Sequence, residues 1–293
     1  MKIGLISVDG HHFPNLALMR LSAWHKQRGD DVEWWCGFTR YDRVYLSKVF
    51  TFTPDFDTVI EADEIVAGGT GYRDYRVLPP EVETTAPDYS IYPQYPSAVG
   101  FLTRGCVRNC PWCIVPQKEG WIRPAADWED IKRPDSREIV FLDNNVLASD
   151  FGLDQIERMG GENVWVDFNQ GLDARLITTW TAELLSDLRW KRFVRLSCDT
   201  SEMLPVIEQA AAYLLEAGIA KSRLWAYVLV KDVADAHQRV LALRSMGILP
   251  FAQPYRDFDK GEPTEEQKAF AGWVNRRPIF QSCAWEDYRK SRR

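Results

Sequence analysis

Gly100-Phe101-Leu102-Thr103-Arg104-Gly105-Cys106-Val107-Arg108-Asn109-Cys110-Pro111-Trp112-Cys113-Ile114-Val115-Pro116 places three cysteines in a C-x3-C-x2-C pattern. Three thiolates so close together suit three corners of an iron–sulfur cube and leave the fourth iron without a nearby protein ligand. An iron with an open position binds and activates a small molecule, whereas a fully ligated cluster mainly moves electrons. The remaining cysteines, Cys36, Cys198 and Cys283, are isolated, so no second pair completes a zinc site of the usual C-x2-C…C-x2-C form. His11, His12, His25 and His237 leave a distant fourth ligand open but unsignalled. No even framework of spaced cysteines suggests disulfides.

Working outward, Trp112 precedes the third cysteine, and the flanks are Thr103-Arg104-Gly105 and Ile114-Val115-Pro116. This segment resembles the cluster loop of the radical S-adenosylmethionine superfamily. It looks like that of enzymes with an N-terminal cobalamin-binding-type domain and of the methylthiotransferases. The resemblance implies a 4Fe-4S cluster on Cys106, Cys110 and Cys113, with S-adenosylmethionine chelating the fourth iron through its amine and carboxylate. It also implies one-electron cleavage to methionine and a 5′-deoxyadenosyl radical, which abstracts hydrogen from a substrate. An electron donor such as flavodoxin or ferredoxin would be needed. Methyl or methylthio transfer, or a non-catalytic iron–sulfur or zinc metalloprotein, stand as the alternatives. Against methylthio transfer to tRNA, residues 263–293 are too short for the RNA-binding domain of those enzymes, and no second cysteine triad stands in the N-terminal part.

From residue 98 onward, strand-like runs recur at 98–103, 138–143, 164–169, 193–198, 224–230 and 248–253. Amphipathic stretches lie between them, among them 182–188, 205–217 and 234–246. Six strand–helix units match the incomplete (β/α)6 TIM-type barrel of the superfamily, in which chemistry sits at the carboxyl ends of the strands. The expected fold is therefore α/β. A small Rossmann-like, cobalamin-binding-type domain (1–72) and a proline-rich connector (73–97) precede the barrel (98–260) and a C-terminal helical extension (261–293).

The strand-end rule selects the other candidates. After the second strand, Asp143, Asn144 and Asn145 stand where the superfamily often carries a Gly-Gly-Glu-type motif for the cofactor amine, and they supply acceptor oxygens. A literal Gly160-Gly161-Glu162 lies before the third strand, at the wrong end, and reads as a turn. The third strand leads to Asp173 and Arg175. The fourth offers Arg195 for the cofactor carboxylate and Ser197 or Asp199 for ribose hydroxyls. Alternate residues of a strand point oppositely, so half of these face outward. With Trp112, the residues Asp143, Asn144, Asn145, Arg195, Ser197 and Asp199 form the candidate cofactor site. Cys198 is either a hydrogen-atom donor or packing. Trp225–Val230 supplies apolar backbone against adenine, and Gln253, Tyr255 and Arg256 are candidates for substrate contact.

In the N-terminal part, 3–8 is an apolar strand, 14–28 has helical spacing, and 32–35, 44–53 and 63–67 are strand-like. Alternating strand and helix implies a parallel sheet. The cobalamin signature D-x-H-x2-G is incomplete, because Asp9-Gly10-His11 is followed by Pro14 where the glycine belongs. That departure weighs against cobalamin.

The net charge of −6 over 293 residues argues against a broad phosphate-binding surface and so against a nucleic-acid partner. A small molecule or a peptide is the expected substrate. The basic tail Arg289-Lys290-Ser291-Arg292-Arg293 reads as a solvated terminus. No apolar run is long enough to span a bilayer and no signal peptide is evident, so no membrane partner and a reduced, cytoplasmic setting are expected.

Overall fold

The computed structural model describes residues 1–257 and 261–290, and the end of the basic tail lies outside the described residues. The chain divides into two compact units, Met1–Val99 and Gly100–Arg293.

The first unit begins with β1 (Lys2–Ser7), α1 (Leu16–Gln27), β2 (Asp31–Trp34), β3 (Tyr41–Ser47) and β4 (Ala62–Gly68). Its sheet has the order β2-β1-β3-β4 and every pairing is parallel. β1 is a continuous apolar run because it is central and buried on both faces. Asn15 caps α1 by accepting from the Leu18 amide at 3.2 Å. On one face, Ile3 and Leu5 pack with Leu18, Met19 and Leu21 of α1, and also with Val82, Ile91 and Tyr92. Val82 lies on α2 (Pro80–Glu83), within the proline-rich stretch. That stretch is thus part of the first unit's core rather than a bare connector. The other face, around Ile6, Tyr41, Val44 and Leu46, is covered by Trp35, Phe56, Ile60 and Tyr72. The strand expected over 44–53 stops at Ser47, because Val49 and Phe50 turn their amides to the Asp9 carboxylate at 2.5 and 3.2 Å.

The second unit is entered through β5 (Ala98–Gly100). The hairpin strands β6 (Thr103–Arg104) and β7 (Arg123–Pro124) enclose α3 (Val115–Lys118), and α4 (Trp128–Ile131) follows. Next come β8 (Glu138–Phe141), α5 (Asp150–Met159), β9 (Trp165–Phe168), α6 (Thr179–Ser186), β10 (Arg189–Trp190) and β11 (Val194–Ser197). α7 (Leu204–Glu216), β12 (Leu224–Val230), α8 (Val233–Met246) and β13 (Leu249–Pro254) complete the alternation. α9 (Glu265–Asn275), α10 (Arg277–Ser282) and α11 (Trp285–Lys290) end the chain, with Phe270, Trp273, Phe280 and Trp285 as their shared core.

The strands form two sheets, β10-β9-β8-β5 and β11-β12-β13, with parallel pairing of β8 with β9, β11 with β12 and β12 with β13. One isolated parallel bridge, Leu172 to Leu196, links the two sheets, and among the described residues no closed barrel forms. Val194, Leu196, Ala226, Val228, Val230 and Ala252 are buried on one face of the second sheet. The opposite face carries Arg195 and Ser197, Trp225, Tyr227 and Leu229, and Phe251, as the two-residue period of paired strands requires.

Candidate functional site

The cysteine loop hangs from the β6–β7 hairpin, in which Thr103 pairs with Pro124 and Arg104 with Arg123. Gly105 makes the turn into the loop at φ +85°, a left-handed conformation natural to glycine. A Cβ there would lie 2.4 Å from the Trp121 carbonyl oxygen, so the close approach itself requires glycine. The Gly105 amide donates to Glu119 Oε2 at 3.0 Å, and the Cys106 amide to the Gly120 carbonyl at 3.2 Å. The Cys113 amide donates to the Cys110 carbonyl at 3.0 Å, which curls the second half of the loop into a turn. Cys113 is exposed, while Cys106 and Cys110 are half-buried free thiols.

Asp143, Asn144 and Asn145 follow β8 and diverge. Asp143 is buried and turns back toward the cysteine strand. It accepts from the Leu102 amide at 3.1 Å, the Thr103 amide at 2.5 Å and the Thr103 hydroxyl at 2.7 Å. Burial pushes its pKa up to about 6, against the pull of those donors. Asn144 donates to Glu119 Oε2 at 2.9 Å. Asp143 therefore spends its carboxylate on bracing the loop, and Asn144 braces it through its amide nitrogen.

Asn145 alone faces the cysteines. Its Nδ2 lies 3.5 Å from Cys106 Sγ and 3.4 Å from Asp173 Oδ2. Its Oδ1 is buried with no hydrogen-bond partner. A buried acceptor left without a donor is costly, by about 1–3 kcal/mol, and marks a place where a donor belongs.

Asp173 gathers two arginines. Arg108 Nε lies at 3.0 Å and Arg175 Nε at 2.7 Å. Although burial raises it, these guanidiniums hold the Asp173 carboxyl below its ordinary pKa. Burial raises the Cys110 thiol, Arg175 pulls it down, and the neighbouring Cys106 adds to the rise. Asp199 is likewise raised by burial and drawn back by Arg239 and by the Trp112 indole N–H that faces it. The Lys231 ammonium sits over the Trp112 ring at 5.0 Å and the Tyr255 ring at 5.3 Å. The loop is thus met by residues that follow β8, β9, β11 and β12.

Arg195 does not reach this constellation as a free cation. It is buried, paired with Asp167 and packed over the Trp225 ring at 5.4 Å. Ser197 lies on the face opposite the helices, beside Gly171 and Tyr227. Cys198 is fully buried and burial pushes its thiol up to about 11, which keeps it a neutral thiol. Gly160 and Gly161 form the turn that ends α5. Glu119, Arg108 and Lys231 carry no motif. Only their distance in sequence from their partners hid them.

Among the described residues no three His, Cys, Asp or Glu side chains are gathered as a metal site gathers them. The donor set nevertheless fits an iron–sulfur group in kind and number. Three thiols lie on one loop, with an unpartnered acceptor and two arginines beside them. Cobalamin fits less well. Asp9 spends its carboxylate on the Val49 and Phe50 amides and on the Thr53 hydroxyl at 2.6 Å, and the His11 ring packs edge-on against Trp34 at 4.1 Å.

The chain matches no protein-family model and no curated protein.

Proposed function

We propose that the chain is a radical S-adenosylmethionine enzyme whose second unit is an incomplete (β/α)6 barrel. The observation that carries this is the convergence of the carboxyl ends of successive parallel strands on one three-cysteine loop. β5, β8, β9 and the short β10 follow one another in chain order in one sheet and β11, β12 and β13 in the other, an order compatible with such a barrel. The first unit, with its β2-β1-β3-β4 order, would be a Rossmann-like companion.

Cys106, Cys110 and Cys113 would hold the 4Fe-4S cluster. Held there, such a cluster would supply the single electron needed for reductive cleavage of S-adenosylmethionine. Asn145 Oδ1 offers an acceptor for the ammonium of the cofactor's methionine moiety. Arg175, held by Asp173 close to Cys110, takes the carboxylate-binding role that Arg195 gives up to Asp167. The Trp112 ring flanks the loop, and Ser197 and Asp199 remain for ribose hydroxyls. Trp225, Tyr227 and Phe251 form an aromatic wall, with Trp225 4.5 Å from Tyr227 and 5.0 Å from Phe251. Such a wall excludes water and holds a substrate C–H bond in place, which is positional catalysis. A flavodoxin- or ferredoxin-like protein would deliver the electron in a reduced compartment such as the cytoplasm. Among the described residues no helix is long and apolar enough to cross a membrane.

Anaerobic reconstitution tests this directly. We expect about four irons per chain, an EPR signal of the reduced protein that changes when S-adenosylmethionine is added, and release of 5′-deoxyadenosine. Cys110→Ala should lose the iron and the cleavage together. A colourless zinc protein, or a Cys110→Ala variant that cleaves the cofactor fully, overturns the proposal.

A further inference from the structure

α8 carries a charge that the proposed chemistry does not use. Arg239 is 1% exposed, so its guanidinium is buried. It is fully engaged: Nη1 donates to the Cys198 carbonyl at 2.5 Å, Nη2 to the Leu229 carbonyl at 2.8 Å, and Nε to Asp235 Oδ2 at 2.9 Å. Asp235 is held in turn by the Ser201 hydroxyl. Its carboxyl is raised by burial, but Ser201 and Arg239 bring it below its ordinary value. Burying an arginine is costly unless its donors find partners, and here the partners are Asp235, the carbonyl just past the end of β11 and the next-to-last carbonyl of β12. A hydrophobic side chain would fill the space but would leave those carbonyls unsatisfied.

The two carbonyls are not arbitrary. Cys198 is followed directly by Asp199, which faces the Trp112 indole N–H. Leu229 is followed two residues later by Lys231, whose ammonium sits over the Trp112 ring. Trp112 lies between Cys110 and Cys113. One guanidinium therefore fixes the strand ends that present both groups gripping the middle of the cysteine loop.

We infer that Arg239 is a positioning residue for the cysteine loop, acting through Asp199 and Lys231 on Trp112. The coupling is a property of the chain alone, and only its consequence for iron uptake rests on the function proposed above. Lysine at 239 keeps the charge but cannot fork to two carbonyls and a carboxylate.

Hydrogen exchange of the metal-free chain reads the coupling. Arg239→Lys should speed exchange of the Cys113 amide about tenfold, as expected for residues coupled through shared partners. The Leu153 amide in α5, bonded to the Ser149 carbonyl at 2.9 Å, should keep its rate. Lys231→Met should act in the same direction, and the double variant should be no faster than the faster single one. Should Arg239→Lys fail to fold, Asp235→Asn removes the charge that steadies the guanidinium and should speed Cys113 by about threefold. Equal acceleration of Cys113 and Leu153 would mean a general stabilising role and overturns the inference. So does an unchanged Cys113 amide. If the parent chain takes up no iron while Arg239→Lys still loosens Cys113, the cluster reading falls and the clamp stands. If iron is taken up and Cys113 is unmoved, the reverse holds.

Discussion

Asp143 offers the sharpest quantitative test, because it ties the end of β8 to the strand that launches the cysteine loop. Its carboxyl is raised from 3.8 to about 6 by complete burial, and donors from Thr103 and Leu102 offset only part of that rise. Each tenfold change in proton affinity corresponds to about 1.4 kcal/mol, so the rise at Asp143 gives about 3 kcal/mol as an upper bound. The folded chain binds this proton more tightly than the unfolded chain. The associated stability is therefore fully present below about pH 4 and is lost as the pH rises through about 6. Asn at 143 has no such proton. The stability of the parent chain relative to Asp143→Asn should fall by up to about 3 kcal/mol between pH 4 and pH 7. Asp143→Ala leaves the Leu102 and Thr103 amides without their acceptor and should cost about 2–4 kcal/mol near pH 4, a gap that narrows toward pH 7 as the parent loses the stability tied to its buried proton. Urea titrations across this range, followed by hydrogen exchange in β9 so that the second unit is tracked by itself, measure both differences. A gap between parent and Asp143→Asn that stays flat, or that widens as the pH rises, refutes the assignment of the buried proton.

Two further substitutions bear on the same region. Gly105→Ala would set a Cβ 2.4 Å from the Trp121 carbonyl at φ +85°, so the hairpin must open. Proteolytic nicking within 103–124 should rise sharply and iron uptake should fail, whereas parent-like resistance would show that the turn tolerates a side chain. Tyr227→Phe removes the hydroxyl that donates to the Asn169 carbonyl at 2.7 Å. It should lower stability by about 1 kcal/mol and the second unit's melting temperature by about 2–4 °C, read by calorimetry.

Local pattern carries much of the fold. The runs at 138–143, 164–169, 193–198 and 224–230 contain β8, β9, β11 and β12, because buried parallel strands are short apolar stretches bounded by polar residues. The helical spacing at 14–28 and 234–246 finds α1 and α8, each closed by its cap. α5 is harder to see: Asp154, Glu157 and Arg158 interrupt its apolar stripe, and its start depends on the Ser149 cap. At the candidate site, sequence nominates Asp143, Asn144 and Asn145 but cannot separate them. Which of three consecutive polar residues faces a cavity depends on the local backbone, and here each takes a different partner. Arg195 illustrates the converse. Its register puts it on the right face, but Asp167, 28 residues away, has already claimed it. Long-range ion pairs of this kind leave no periodic trace.

Among the described residues the two sheets are joined by one backbone rung, Leu172 to Leu196, and side chains add to it: Asp167 of β9 with Arg195 of β11, and Tyr227 of β12 with the Asn169 carbonyl. Everywhere else in these sheets the spacing of neighbouring strands is dictated by amides and carbonyls that every sequence shares. Along this one line the aperture is written in replaceable side chains. It can be widened or narrowed one codon at a time without unravelling a ladder, which gives evolution an adjustable slot in an otherwise rigid wall.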